Sequence, residues 1–116
     1  MKFIVATGSK FFGEALKLIL DPLADRVDVA SSPEEVVELL KENDHDVIIC
    51  DLACENGAKS AEKIKRLKPK AKVILFSFDP PNRHAELIGE VGADGYINRP
   101  LDPEAVIESL NALKQN

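Results

Sequence analysis

Five short apolar runs each end on a residue, or a pair, that could do chemistry. Phe3-Ile4-Val5-Ala6 is followed by Thr7 and Gly8, Val27-Asp28-Val29-Ala30 by Ser31, and Val47-Ile48-Ile49-Cys50 by Asp51. Val73-Ile74-Leu75-Phe76 is followed by Ser77, and Gly95-Tyr96-Ile97-Asn98 by Arg99. An Asp placed directly after a wholly apolar segment, with a hydroxyl (Ser77) and a cation (Arg99) projecting from neighbouring runs, is a candidate anionic acceptor site. Such a site forms only if all five run ends meet at one edge, so the elements between them must be of a kind that brings them there.

Those elements read as amphipathic helices. After the first run, Phe12, Ala15, Leu16, Ile19 and Leu23 have helical spacing. Ser32-Pro33-Glu34-Glu35 opens a second helix, with Ser32 as cap, Pro33 at the first position and Glu35 completing a capping box, and Val36, Leu39 and Leu40 turned inward. A loop with Gly57 leads to a third helix carrying Ala61, Ile64 and Leu67, which Pro69 terminates. Asp79-Pro80-Pro81 is expected to start a fourth, burying Ala85, Ile88 and Val91 and ending on Gly92 in the left-handed conformation that glycine tolerates. Asp102-Pro103-Glu104 starts a fifth with a stripe of Val106, Ile107, Leu110 and Leu113. Runs apolar at every position suit central parallel strands buried on both faces. Parallel neighbours need crossover helices, which gives an α/β, doubly wound sheet whose ligands collect beyond the carboxyl ends of the strands. The 116 residues suit one domain, 1–116, without linker or repeat.

Composition narrows the function. The charged fraction of 30% and hydrophobic fraction of 45% are those of a globular chain. A net charge of −5 without a basic block argues against direct nucleic-acid binding, and no apolar run is long enough for a membrane span or signal peptide. The cysteine pair, Cys50 and Cys54, without a leader points to a reducing, cytoplasmic setting. His45 and His84 lack a ligand-like cluster and are assigned no metal role. The lysines from Lys59 to Lys72 read as a solvated helix face.

The residues at the strand ends resemble the receiver domain of bacterial response regulators, and the resemblance covers essentially the whole chain. Val47-Ile48-Ile49-Cys50-Asp51-Leu52 is similar to the segment bearing the phosphoaccepting aspartate, which puts Asp51 at that position. Val73-Ile74-Leu75-Phe76-Ser77 is similar to the strand ending in the hydroxyl residue that contacts the phosphoryl group. The most distinctive match is Gly92-Ala93-Asp94-Gly95-Tyr96-Ile97-Asn98-Arg99-Pro100 against Gly-Ala-x-x-Tyr-x-x-Lys-Pro. It puts Tyr96, with Ser77, at the switch positions, and Arg99 at the place of the lysine. The resemblance implies a flavodoxin-like (βα)5 three-layer sandwich with strand order 2-1-3-4-5, and a cis bond before Pro100 that would aim Arg99 at Asp51.

The chain departs from the family where receivers carry two adjacent acids that help hold magnesium, because Thr7 and Gly8 stand there. One carboxylate and a threonine hydroxyl are a weak set for a cation that wants octahedral oxygen ligation. No metal and no cofactor are expected; magnesium enters only if Glu55 or Asp102 bends inward. Arg99 could instead neutralise Asp51 through a bidentate pair and favour a constitutive conformer. The expected function is an atypical, non-enzymatic receiver acting by protein–protein interaction in a two-component or phosphorelay system. Its partners would be a histidine kinase, a phosphotransfer protein or an output protein, met through a face formed by the fourth helix, fifth strand and fifth helix. Arg83, Glu86, Glu90, Asn98 and Glu104 are the candidate exposed residues there, on a monomer or weak homodimer. One alternative is a working phosphoacceptor at Asp51 assisted by Ser77 and Arg99. Another is a flavodoxin-like small-ligand binder using the Thr7-Gly8-Ser9 turn, although the full phosphate-loop spacing is missing.

Overall fold

A computed structural model of the chain describes residues 1–53 and 57–114. Its strands are β1 (Lys2–Ala6), β2 (Arg26–Ala30), β3 (Val47–Asp51), β4 (Lys72–Phe76) and β5 (Gly95–Ile97). Its helices are α1 (Lys10–Leu20), α2 (Pro33–Glu42), α3 (Gly57–Leu67), α4 (Ala85–Val91) and α5 (Pro103–Lys114), with short 3-10 turns at Asp21–Leu23 and Pro81–Arg83. All strand pairs are parallel, in the order β2-β1-β3-β4-β5. This is the α/β, doubly wound architecture and the strand order expected.

The two-residue period of the strands sorts their side chains between two cores. Phe3, Val5, Ile49, Ile74 and Phe76 join Leu16 and Leu20 of α1 and Val106, Leu110 and Leu113 of α5 on one face. Ile4, Ile48, Cys50, Val73 and Leu75 join Val36 and Leu40 of α2, Ala61 and Ile64 of α3, and Val91 of α4 on the other. Every residue of β3 is buried, whereas the edge strand β2 is buried only at Ala30. Each fully buried Ile or Val contributes about 1.5–3 kcal/mol relative to exposure. That weight is concentrated on the strand that carries Asp51.

The helix ends follow local chemistry, with some corrections to the expected stripes. Ser9 caps α1 by accepting the Phe12 N–H, and Ser32 caps α2 by accepting the Glu35 N–H. The Glu35 carboxylate accepts from the N–H and hydroxyl of Ser31 rather than from Ser32, so the box closes one residue early. Gly92 has φ +73°, the left-handed cap expected after α4. Four residues expected to be buried are exposed. Leu23 leaves the α1 stripe because Pro22 diverts the chain into a 3-10 turn. Leu67 ends α3 beside an open cleft. Ala85 is the first residue of α4, which starts later than Asp79-Pro80-Pro81 because a 3-10 turn intervenes. Ile107 lies about 100° around the helix from Val106 and off the line through Leu110 and Leu113.

Two carboxylates tie the lower part of the sheet. Asp94 donates its N–H to the Val73 carbonyl, accepts the Val73 N–H on Oδ2 at 2.9 Å, and pairs the same oxygen with Lys65 Nζ of α3 at 2.7 Å. Asp28 of β2 receives His45 Nε2 at 2.7 Å and Arg26 Nε at 2.8 Å. Burial works to raise the Asp28 pKa, but the hydrogen bonds from His45 and Arg26 outweigh it and hold the carboxyl below its ordinary value. His45 is therefore a buried partner of a carboxylate, and its Nδ1 has no hydrogen-bond partner.

Candidate functional site

Because all the strands run parallel, their five carboxyl ends meet at one edge, where Asp51 sits buried between two open cavities. One, of about 320 Å³, lies among Thr7, Ser31, Ser32, Val36, Gly57 and Ser60. The other, of about 260 Å³, lies among Phe12, Ala53, Ser77, Phe78, Asp79 and His84. Gly57 is required where α3 begins, because a Cβ there would lie 2.4 Å from the Asp51 carbonyl oxygen.

Neutral donors hold the Asp51 carboxylate. Thr7 Oγ1 donates to Oδ2 at 2.7 Å, and the Ala53 N–H donates to Oδ1 at 2.8 Å. Thr7 Oγ1 in turn accepts the Ser9 N–H at 3.1 Å, so a chain of hydrogen bonds runs from the turn after β1 and stops on the carboxylate. Thr7 itself is buried. The hydroxyls and amides of Thr7 and Ser9 thereby serve local structure, since the Thr7 N–H donates to the Ala30 carbonyl and Ser9 Oγ is spent on the α1 cap.

Across the edge, Ser77 and Tyr96 form a second network. The Asp79 N–H donates to Ser77 Oγ at 3.0 Å, the Ser77 and Tyr96 hydroxyls are hydrogen-bonded, and Tyr96 donates to the Asp79 carbonyl at 2.7 Å. Each hydroxyl has one proton, so Tyr96 donating to Asp79 leaves Ser77 as the donor to Tyr96. The result is a closed ring that begins and ends on the Asp79 backbone. His84 Nε2 meets Asp79 Oδ2 at 3.0 Å, and the His84 and Tyr96 rings lie 6.1 Å apart.

The family model of the response regulator receiver domain matches residues 4–111. The chain belongs to this family. The chemotaxis protein CheY of Halobacterium salinarum is 26% identical over 110 residues, covering 93% of this chain and 92% of that protein. CheY of Thermotoga maritima is 30% identical over 90 residues, with 74% and 73% covered. The transcriptional regulatory protein DegU of Brevibacillus brevis is 25% identical over 119 residues, which are 99% of this chain but 50% of DegU. The chain thus spans about half of DegU and nearly all of the Halobacterium CheY. In fold it is similar to CheY4 of Vibrio cholerae, with a TM-score of 0.87 at 17% identity over 97% of both chains. It is also similar to the BeF3-activated DrrB receiver domain, with a TM-score of 0.82 at 23% identity over 99% of this chain and 97% of that one.

Within the receiver fold, Asp51, Thr7 and Ser77 come to the edge as expected, and Gly8 lines the cavity beside Thr7. Arg99 does not reach Asp51. No described peptide bond is cis, and the Arg99 side chain, 66% exposed, turns to Asp102 Oδ2 at 3.5 Å. The trans bond to Pro100 carries Arg99 outward toward the residue that caps α5. The expected bidentate neutralisation of Asp51 is therefore absent. Asp102 is committed as well, since its Oδ1 accepts the Glu104 N–H. Glu55 and Cys54 lie outside the described residues. On the expected partner face, Arg83, Glu86, Glu90 and Glu104 are exposed, whereas Asn98 is half-buried.

The donor set does not fit magnesium. Of the carboxylates at the described edge, Asp51 has its oxygens engaged by a hydroxyl and an amide, Asp79 is paired with His84 and Arg83, and Thr7 brings no charge. Among the described residues, no three His, Cys, Asp or Glu side chains group closely enough to hold a metal.

Asp79 and His84 are the site residues that the sequence reading passed over. An Asp two residues beyond a strand-end Ser is a turn signal that could have marked the first. The second comes into place only through the intervening 3-10 turn, which no local pattern announces.

Proposed function

We propose that the chain is a receiver-fold signalling module that acts by protein–protein interaction, with little or no magnesium-dependent phosphorylation at Asp51. The observation that carries this reading is the Thr7 hydroxyl on Asp51 Oδ2, a neutral donor in the place where a receiver keeps acids for its metal. Phosphoryl transfer relies on positioning and charge neutralisation. Around Asp51, with Arg99 turned to Asp102, the described side chains supply the first without the second.

The surface for partners is the one formed by α4, β5 and α5, where Arg83, Glu86, Glu90 and Glu104 are exposed and Asn98 lies at the margin. A histidine kinase, a phosphotransfer protein or an output protein would meet the chain there in the cytoplasm. No described helix is long and apolar enough to cross a membrane. Ser77 and Tyr96 remain as the switch, and their ring through Asp79 is the element whose opening a partner would sense or impose.

Intact-mass spectrometry after incubation with acetyl phosphate, with and without magnesium, tests the proposal. The expected result is no adduct in either condition. A magnesium-dependent adduct that disappears in Asp51→Asn would instead establish a working phosphoacceptor.

A further inference from the structure

The outer face of α1 carries two large apolar side chains in water. Phe11 is 67% exposed and Leu18 is 74% exposed. They are seven residues apart, so a helical period of 3.6 puts them on nearly the same line, two turns from each other. That line lies opposite the buried side formed by Gly13, Leu16 and Leu20. Between the two lies Ala15, whose methyl group leaves room for another backbone to approach.

The charges beside this stripe have a self-complementary order. Lys10, Glu14, Lys17 and the C-cap residue Asp21, whose backbone is still right-handed helical, are all exposed, and the helical angle of about 100° per residue puts them along one flank with alternating sign. Neighbours of this kind commonly pair within a helix. Here none of the four side chains takes part in an ion pair among the described residues. When two copies of a helix pack antiparallel about a twofold axis, a flank meets the same flank of its mate in reverse order. With the axis near Ala15, Phe11 lies opposite Leu18 of the mate, Lys10 opposite Asp21, and Glu14 opposite Lys17. Each pairing is within about one residue rise, roughly 1.5 Å, of level. Every unlike charge meets its opposite, and each contact occurs twice because the interface is isologous.

We infer that this face of α1 docks a second copy of the same chain, in an antiparallel α1–α1 contact centred on Ala15. The contact is small, as a single helix crossing must be, so the dimer is weak and forms at roughly tens to hundreds of micromolar chain. It is separate from the α4-β5-α5 face and stands whether or not Asp51 is phosphorylated.

Sedimentation velocity on the full chain across this concentration range provides the test. The wild type is expected to move from monomer toward dimer as concentration rises. Leu18→Ser, an exposed position, is expected to weaken association at least tenfold. Lys17→Glu alone puts like charges together twice and is expected to weaken it severalfold, and Glu14→Lys alone likewise. The combined Glu14→Lys and Lys17→Glu variant restores opposite signs and is expected to recover the wild-type association. A wild type that stays monomeric throughout overturns the proposal and leaves the patch to a different protein. A dimer indifferent to Leu18→Ser, or a charge-swapped double variant as weak as the singles, overturns it too.

Discussion

The two halves of the strand-end edge solve the same problem differently. On the β1–β3 side, hydrogen bonds run from Ser9 through Thr7 and stop on a charge, the Asp51 carboxylate. On the β4–β5 side, they run from the Asp79 amide through Ser77 and Tyr96 and return to the Asp79 carbonyl, with no charge on the path. The first arrangement fixes an anion in a closed posture without a cation. The second is a latch, complete in itself and openable by breaking a few neutral bonds. The Ser77–Tyr96 ring thus takes none of its hydrogen bonds from the Asp51 half of the edge.

That independence can be attacked from both sides. The largest effect is expected from rebuilding the acid cluster with Thr7→Asp and Gly8→Asp, which should raise magnesium affinity by roughly tenfold to a hundredfold in calorimetric titration. An unchanged affinity would mean that the β1 end is not the metal side of the site. Next, Thr7→Val keeps the shape but strips Asp51 Oδ2 and the Ser9 amide of their partner. It is expected to destabilise the fold by about 1–3 kcal/mol in urea unfolding.

A smaller effect tests the separation of the halves. Ser77→Ala and Tyr96→Phe should show a coupling of about 0.5–1.5 kcal/mol in a double-mutant cycle, as members of one ring. Thr7→Val and Tyr96→Phe should be additive within about 0.5 kcal/mol, and a larger coupling would show the two networks to be one. The smallest effect is a matter of pH. Burial is outweighed by hydrogen bonds from His45 and Arg26, which hold the folded pKa of Asp28 below the unfolded one. Its contribution is complete above the ordinary carboxylate range, about pH 4, and is lost as pH falls below that through the lowered value. Asp28→Asn should therefore flatten the acid limb of a stability–pH curve. Equal acid limbs for wild type and variant would count against that role.

The fold was legible because Val47 to Cys50 of β3 and Val73 to Phe76 of β4 are unbroken apolar runs, as suits strands covered on both faces, and because proline and glycine punctuate the helices. The stripes failed at their ends, at Leu23, Leu67, Ala85 and Ile107, where a 3-10 turn or a helix terminus changes the direction a side chain takes. In the site, the place of Asp51, Ser77 and Tyr96 could be read from their position after or within a strand. Arg99 could not, because a long side chain chooses among carboxylates by the path of the chain beyond it, and Asp102 was nearer. The Asp79 ring was hidden for a related reason: it is made by backbone groups, whose partners a sequence does not name.

Asp94 has a mechanical consequence for β5. The strand has three residues, and Asp94 secures its start to β4 and to α3 with an amide, a carboxylate and the Lys65 ion pair. Its far end is held as well, because the Ile97 carbonyl accepts the Ser77 N–H at 3.1 Å and the Ile97 side chain is buried in the core. A strand pinned at root and tip behaves as a clamped beam. Opening the Tyr96 ring therefore frees a side chain at the middle of the span and leaves the strand itself in place.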